Sequence, residues 1–79
     1  MANPMAAADA MGFPVVDASG VEVGTIEDLM IDTHRGAIAY AMMATTSGRG
    51  DALVAVPWDA LSHDPDHHRF ILDDAIRYR

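Results

Sequence analysis

Apolar residues in this chain fall into short runs separated by breaks rich in Gly and Asp. That spacing predicts strands of a small all-β unit rather than helices. Residues 13–16 open the first predicted strand, and Asp17-Ala18-Ser19-Gly20 supplies a turn, because Asp bonds its own backbone and Gly20 tolerates positive φ. Residues 21–32, VEVGTIEDLMID, form a long second strand. Val21 and Val23 alternate with Glu22 as one buried face requires, but Ile26, Leu29 and Ile31 cannot all keep that phase. Gly24 stands at the slip, which predicts a bulge or sharp bend that curls the sheet.

Asp32 is positioned to order the next turn, Thr33-His34-Arg35-Gly36. The third strand, residues 37–44, reads AIAYAMMA and carries no charge on either face, so both faces call for cover. Ile38, Tyr40 and Met42 line one face, and Ala39, Ala41 and Met43 line the other. The small-residue face, with neighbouring Val54, is the predicted partner surface. Residues 45–51 form a polar, glycine-bearing loop and residues 52–56 a fourth strand, which Pro57 ends for want of an N–H. Residues 58–61 fit one helical turn, residues 70–72 a fifth strand, and residues 73–79 a short strand or turn. Near the start, residues 1–3 are expected to be loose, and residues 4–11 to hold a helical turn that Gly12 ends.

Length and charge narrow the functions. A chain of 79 residues has room for one small domain. A domain this size buries only about 60% of its unfolded surface, which leaves a monomer marginal. With 0 Cys, neither a disulfide nor a thiolate metal site adds support, so self-association is the expected route to stability. The composition, 51% hydrophobic and 22% charged, is that of a folded chain. Twelve acidic residues against five basic ones give a net charge of -7, which disfavours nucleic-acid binding. The basic residues are all Arg and Lys is absent, a bias that salt adaptation and GC-rich coding would both produce. No apolar run approaches the roughly 20 residues that span a bilayer. The opening MANPMAAADAMG has no basic stretch and contains Asp9, so it does not read as a signal peptide, and a cytoplasmic location is expected.

The densest chemistry lies in AVPWDALSHDPDHHRF, residues 55–70. Val56-Pro57-Trp58 suits a strand that stops with a large aromatic closing one end of the sheet, and Asp59 suits a cap for the following turn. His63, Asp66, His67 and His68 have ligand chemistry suited to zinc. Their spacing follows no recognised metal motif, however, and Asp64-Pro65-Asp66 forces a turn where a helix would be needed to align the imidazoles. The stretch reads as a connector. Glu27 and Asp28, adjacent on a strand, point to opposite sides and are no carboxylate pair. Gly48-Arg49-Gly50 lacks the Lys and Ser/Thr of a phosphate loop, and Arg49-Gly50-Asp51 reads as a chance adhesion tripeptide. No catalytic residues, metal or cofactor are predicted.

Four stretches together resemble the PRC-barrel family: Gly12-Phe13-Pro14-Val15-Val16-Asp17, Gly20 through Asp28 with Ile31-Asp32, Gly36-Ala37-Ile38-Ala39-Tyr40-Ala41, and Val54-Ala55-Val56-Pro57-Trp58-Asp59-Ala60-Leu61. The ordered set, a G-x-x-V-x-D start, a V-G-x-I-E-D strand, an I-D-x-x-x-G turn and a V-P-W-D-x-L close, runs from about Gly12 to Leu72. That family includes the cytoplasmic domain of the photosynthetic reaction-centre H subunit, the C-terminal domain of a ribosome maturation factor, and short stand-alone proteins. The resemblance implies a small β-barrel of five or six strongly bent antiparallel strands over residues 12–79, preceded by an N-terminal arm over residues 1–11. It also implies docking and assembly rather than catalysis. The reaction-centre membrane helix and the maturation factor's RNA-processing domain have no counterpart here, so the stand-alone class fits best. The reading is therefore a non-catalytic adaptor that forms a homodimer and binds an unidentified protein, without membrane insertion. Its predicted interface is Ala39, Ala41, Met43 and Val54, and its structural positions are Gly12, Gly20, Gly24, Asp32, Gly36, Pro57 and Trp58. The rival readings are a ribosome-assembly or RNA-processing factor, a metal-binding protein, and an accessory of a membrane photosynthetic complex.

Overall fold

A short helix, α1 (Ala7–Ala10), leads into six strands: β1 (Pro14–Val16), β2 (Glu22–Asp32), β3 (Ala37–Thr45), β4 (Leu53–Pro57), β5 (Leu61–Asp64) and β6 (Arg69–Leu72). A 3-10 turn, Trp58–Ala60, joins β4 to β5. This is a computed structural model, and it describes residues 5–45 and 52–73. The expectations for residues 1–3, for most of the glycine-bearing loop with its Arg-Gly-Asp, and for residues 74–79 lie outside the described residues. Among the described residues no helix is long and apolar enough to cross a membrane.

The strands form one sheet in the order β4-β3-β2-β1-β6-β5. Five or six strands with a turn after Pro57-Trp58 were expected, and six are found among the described residues. Two features differ from the expectation. The strands are not all antiparallel, because β1 runs parallel to β6, with Val15 opposite Phe70. The sheet is also open between β4 and β5, so the barrel is curled but not closed. The sequence reading has no strand at β5, since Leu61-Ser62-His63-Asp64 holds a single apolar residue. Pairing with β6, Leu61 opposite Leu72 through Asp64 opposite Arg69, makes it extended.

Local chemistry sets the turns. The Asp17 Oδ1 accepts the N–H groups of Ser19 at 2.9 Å and Val21 at 3.0 Å. Gly20, at φ +88°, takes the left-handed conformation that a residue with a Cβ rarely adopts. Asp32 does the same for the β2–β3 hairpin, accepting from His34 at 3.0 Å and Arg35 at 3.2 Å. The Gly36 N–H then reaches the Asp32 carbonyl at 2.8 Å. After α1, the Gly12 N–H donates to the Ile26 carbonyl at 2.7 Å, and the Ile26 N–H donates to that of Phe13 at 2.9 Å, which ties the arm to β2.

The long β2 bends through register shifts. Opposite β1 it skips Val23, and opposite β3 it skips Glu27, so the sequence-level slip near Gly24 is resolved by extra residues on both sides of that glycine. Gly24 is needed for space rather than for φ. A Cβ there would lie 2.5 Å from the Ala44 carbonyl oxygen and 2.6 Å from Met43 Cγ.

Phe70, Ile26, Met43, Val15 and Val56 are the largest fully buried side chains, joined by Ala10, Ala41, Ala60 and Leu72. This core overturns the expected facing of β3. Ala41 and Met43, assigned to a partner surface, are 0% exposed and lie inside the curl. The reason is the register: Met43 stands opposite Ile26 and Val54, and Ala41 opposite Leu29 and Val56, and directly paired residues share a face. Val54 is half-buried on that inner side, and Ala39 alone of the predicted interface is exposed. The outward face of β3 is instead Tyr40, Met42 and Ala44.

Candidate functional site

The late histidines sit on the β5–β6 hairpin. Asp64 closes its turn with Oδ2, which accepts from Arg69 Nε at 3.0 Å and lies 3.0 Å from His67 Nδ1. Partial burial pushes the Asp64 carboxyl up, but the hydrogen bonds from Arg69 and His67 and their charges outweigh it, and the net shift is downward. His68 holds φ +51°, an uncommon value for a residue with a side chain. The three imidazoles do not converge: His63 and His68 both pack on Phe13, and His67 pairs with Asp64. His63 stacks on Phe13 at 6.2 Å with planes 24° apart and lies 5.3 Å from Phe70. His68 meets the edge of Phe13, and His67 is occupied with Asp64. Asp66 is exposed at the tip of the turn. Among the described residues no three His, Asp or Glu side chains come together around a point that would hold a metal ion. A cavity of about 470 Å³ between α1 and this hairpin is bounded by Met5, Asp9, Phe13, His63, Pro65 and His68.

Trp58 anchors the other end of the sheet. Its ring meets Phe70 edge-on at 5.6 Å and is half-buried. Beside it lies a shallow cleft of about 290 Å³ lined by Asp32, Arg35, Ile38, Pro57, Trp58 and Asp59. The cleft thus gathers two carboxylates, one guanidinium and one aromatic ring.

The larger feature is the outer face of β2, β3 and β4. Pairing places Met30 opposite Tyr40 and Tyr40 opposite Pro57; Asp28 is opposite Met42 and Met42 opposite Ala55; Thr25 is opposite Ala44 and Ala44 opposite Leu53. Past Met30 the register skips Ala39, and Ile31, the next residue on β2, pairs with Ile38 on the opposite face. On the outer face Leu53 is 52% exposed, and Met30 and Tyr40 are also exposed. Among the described residues of this face, acids stand only along the β2 side, where the Asp28 carboxylate turns back to accept the Leu29 N–H at 2.9 Å. The strips from β3 and β4 carry no charge. Contiguous exposed apolar surface of this kind marks interaction sites. Sequence reasoning located the uncharged strand but chose its inner side, and it did not assign Met30, Tyr40 or Leu53 to the surface.

A small, strongly curled antiparallel sheet with one parallel closure and an aromatic at its open end defines an open β-barrel domain. The sequence profile of the PRC-barrel domain matches residues 3–75, nearly the whole chain, and the chain belongs to that family. No curated protein matches it.

Proposed function

We propose that this protein is a non-catalytic assembly module that associates with itself and presents an apolar sheet surface to a protein partner. The carrying observation is the outer face of β2–β4, with Met30, Tyr40 and Leu53 exposed on a chain whose net charge is -7. Like-charged copies repel one another except where charge is absent, so the uncharged β3 and β4 strips are the surface on which two copies meet at least cost. The size of the domain supports the same reading, since a chain this short gains from burying apolar area between subunits.

Sedimentation equilibrium on the purified chain at micromolar concentration tests the proposal. A mass twice that of the chain, independent of salt, is expected of an apolar contact. A stable monomer at that concentration would remove the self-association reading. A charge at Ala41 would not probe the interface, because Ala41 is fully buried and an unpaired charge there would unfold the domain.

A further inference from the structure

The two edges of the open sheet are not alike. Edge strands expose unpaired backbone groups, and proteins guard them with charge, proline or cover. The β5 edge is guarded: its Asp64 is engaged with Arg69 and His67, and His63 packs on Phe13 and Phe70. The β4 edge, Leu53–Pro57, carries no charge, and among the described residues its partner is β3 alone.

The hydrogen-bond phase of β4 follows from one bond. The Thr45 N–H donates to the Ala52 carbonyl at 3.2 Å, so Thr45 and Ala52 face each other as a hydrogen-bonded pair. Such pairs alternate along an antiparallel ladder, which makes Met43–Val54 and Ala41–Val56 the next ones. Leu53, Ala55 and Pro57 therefore turn their backbone groups away from β3. Pro57, which has no N–H to give, sits in this outward set, where its ring costs the internal ladder nothing.

We infer that β4 pairs antiparallel with β4 of a second copy, across a two-fold axis at Ala55. This rests on the self-association reading and specifies its geometry. The occupant is a second copy because the edge is self-complementary. With Ala55 opposite its counterpart, the two Ala55 residues exchange both bonds. Each Leu53 N–H then meets the carbonyl of the Pro57 opposite, so the missing proline N–H falls at the rim of the pairing. An uncharged strand also lets two chains of charge -7 approach without a like-charge contact. Residues directly opposite share a face, so the two outer surfaces, each with Tyr40, Met42, Leu53 and Ala55, join into one continuous apolar platform for a partner.

Two full-length variants test the pairing. Ala55→Pro removes an outward N–H and leaves the bonds to β3 intact, so it is expected to halve the sedimenting mass with the far-ultraviolet circular dichroism of the wild type. Ala55→Cys places a thiol on an exposed residue in a chain with 0 Cys. Hydrogen-bonded antiparallel partners sit about 5.5 Å apart at Cα, within disulfide range. Diamide, which takes up the two electrons and two protons released, is then expected to convert Ala55→Cys to a covalent dimer, while Ala18→Cys on the β1–β2 turn stays monomeric on a denaturing gel. A wild-type dimer that persists in Ala55→Pro, or that Ala55→Cys fails to cross-link, overturns the β4 pairing and leaves self-association standing. A monomeric wild type overturns both.

Discussion

Replacing Gly24 with Ala is the most direct test of how the curl is packed. In an ordinary strand interior the change would help by about 0.5–1 kcal/mol, because glycine loses more backbone freedom on folding. Here the sign reverses. The added Cβ would lie 2.5 Å from the Ala44 carbonyl oxygen, 2.6 Å from Met43 Cγ and 2.8 Å from Met43 Sδ. The first of these is backbone, fixed by pairing with both β2 and β4, and the others belong to a side chain that is 0% exposed. Overpacking of a filled core costs about 1–3 kcal/mol, which after the backbone gain leaves a net loss of about 1–2 kcal/mol. For a domain of this size that corresponds to a fall in Tm of about 5–15 °C. The measurement is a circular-dichroism melt at fixed protein concentration, since association would otherwise shift the midpoint. Adding Met43→Ala removes two of the three close atoms, so the double variant should lose less than the sum of the single losses. A Gly24→Ala melt at or above the wild type, or strict additivity with Met43→Ala, would refute the steric account.

Phe70→Ala should cost about 3–5 kcal/mol, because the ring is 1% exposed and supports Phe13, Trp58 and His63; a urea titration followed through Trp58, the single Trp, reads the loss directly. Asp32→Ala leaves the His34 and Arg35 N–H groups to water and should lower stability by about 0.5–1.5 kcal/mol, with the fold retained by heteronuclear NMR. Asp64 titrates lower in the folded state than in the unfolded one, so its ionised form favours folding. Its contribution is complete above the ordinary carboxylate pKa of about 3.9 and is lost as pH falls through the lowered folded value. Asp64→Asn should accordingly flatten the acid limb of the stability profile below about pH 4, and an unchanged limb would assign acid sensitivity to other carboxylates.

The strand limits at β1, β2, β3 and β4 and the Asp-Gly turns were legible because their signals are local: a residue binds its own backbone, or a glycine frees it. What failed was long-range. AIAYAMMA has no charge on either parity, so nothing in β3 itself says which side faces inward, and bulk favoured Tyr40 and Met42 over Ala41. The decisive mark sits on a neighbour, where Asp28 stands opposite Met42 and declares that face outward. Reading it requires the register, which the bulge at Glu27 shifts by one residue and thereby inverts. The β5 strand was hidden for a related reason, since its pairing with β6 outweighs its weak strand composition. The histidine stretch was read as a connector; its His63–Asp64 end is strand, and residues 65–68 make the turn.

The parallel contact of β1 with β6 has a kinetic consequence. Every other neighbouring pair in the sheet follows in sequence and can zip from a short connection, whereas Val15 must wait for Phe70. Closing so long a loop is slow relative to hairpin formation. During that interval the hairpins already stand while β1 still offers a bare margin, which places the greatest exposure to clumping at the last step of folding.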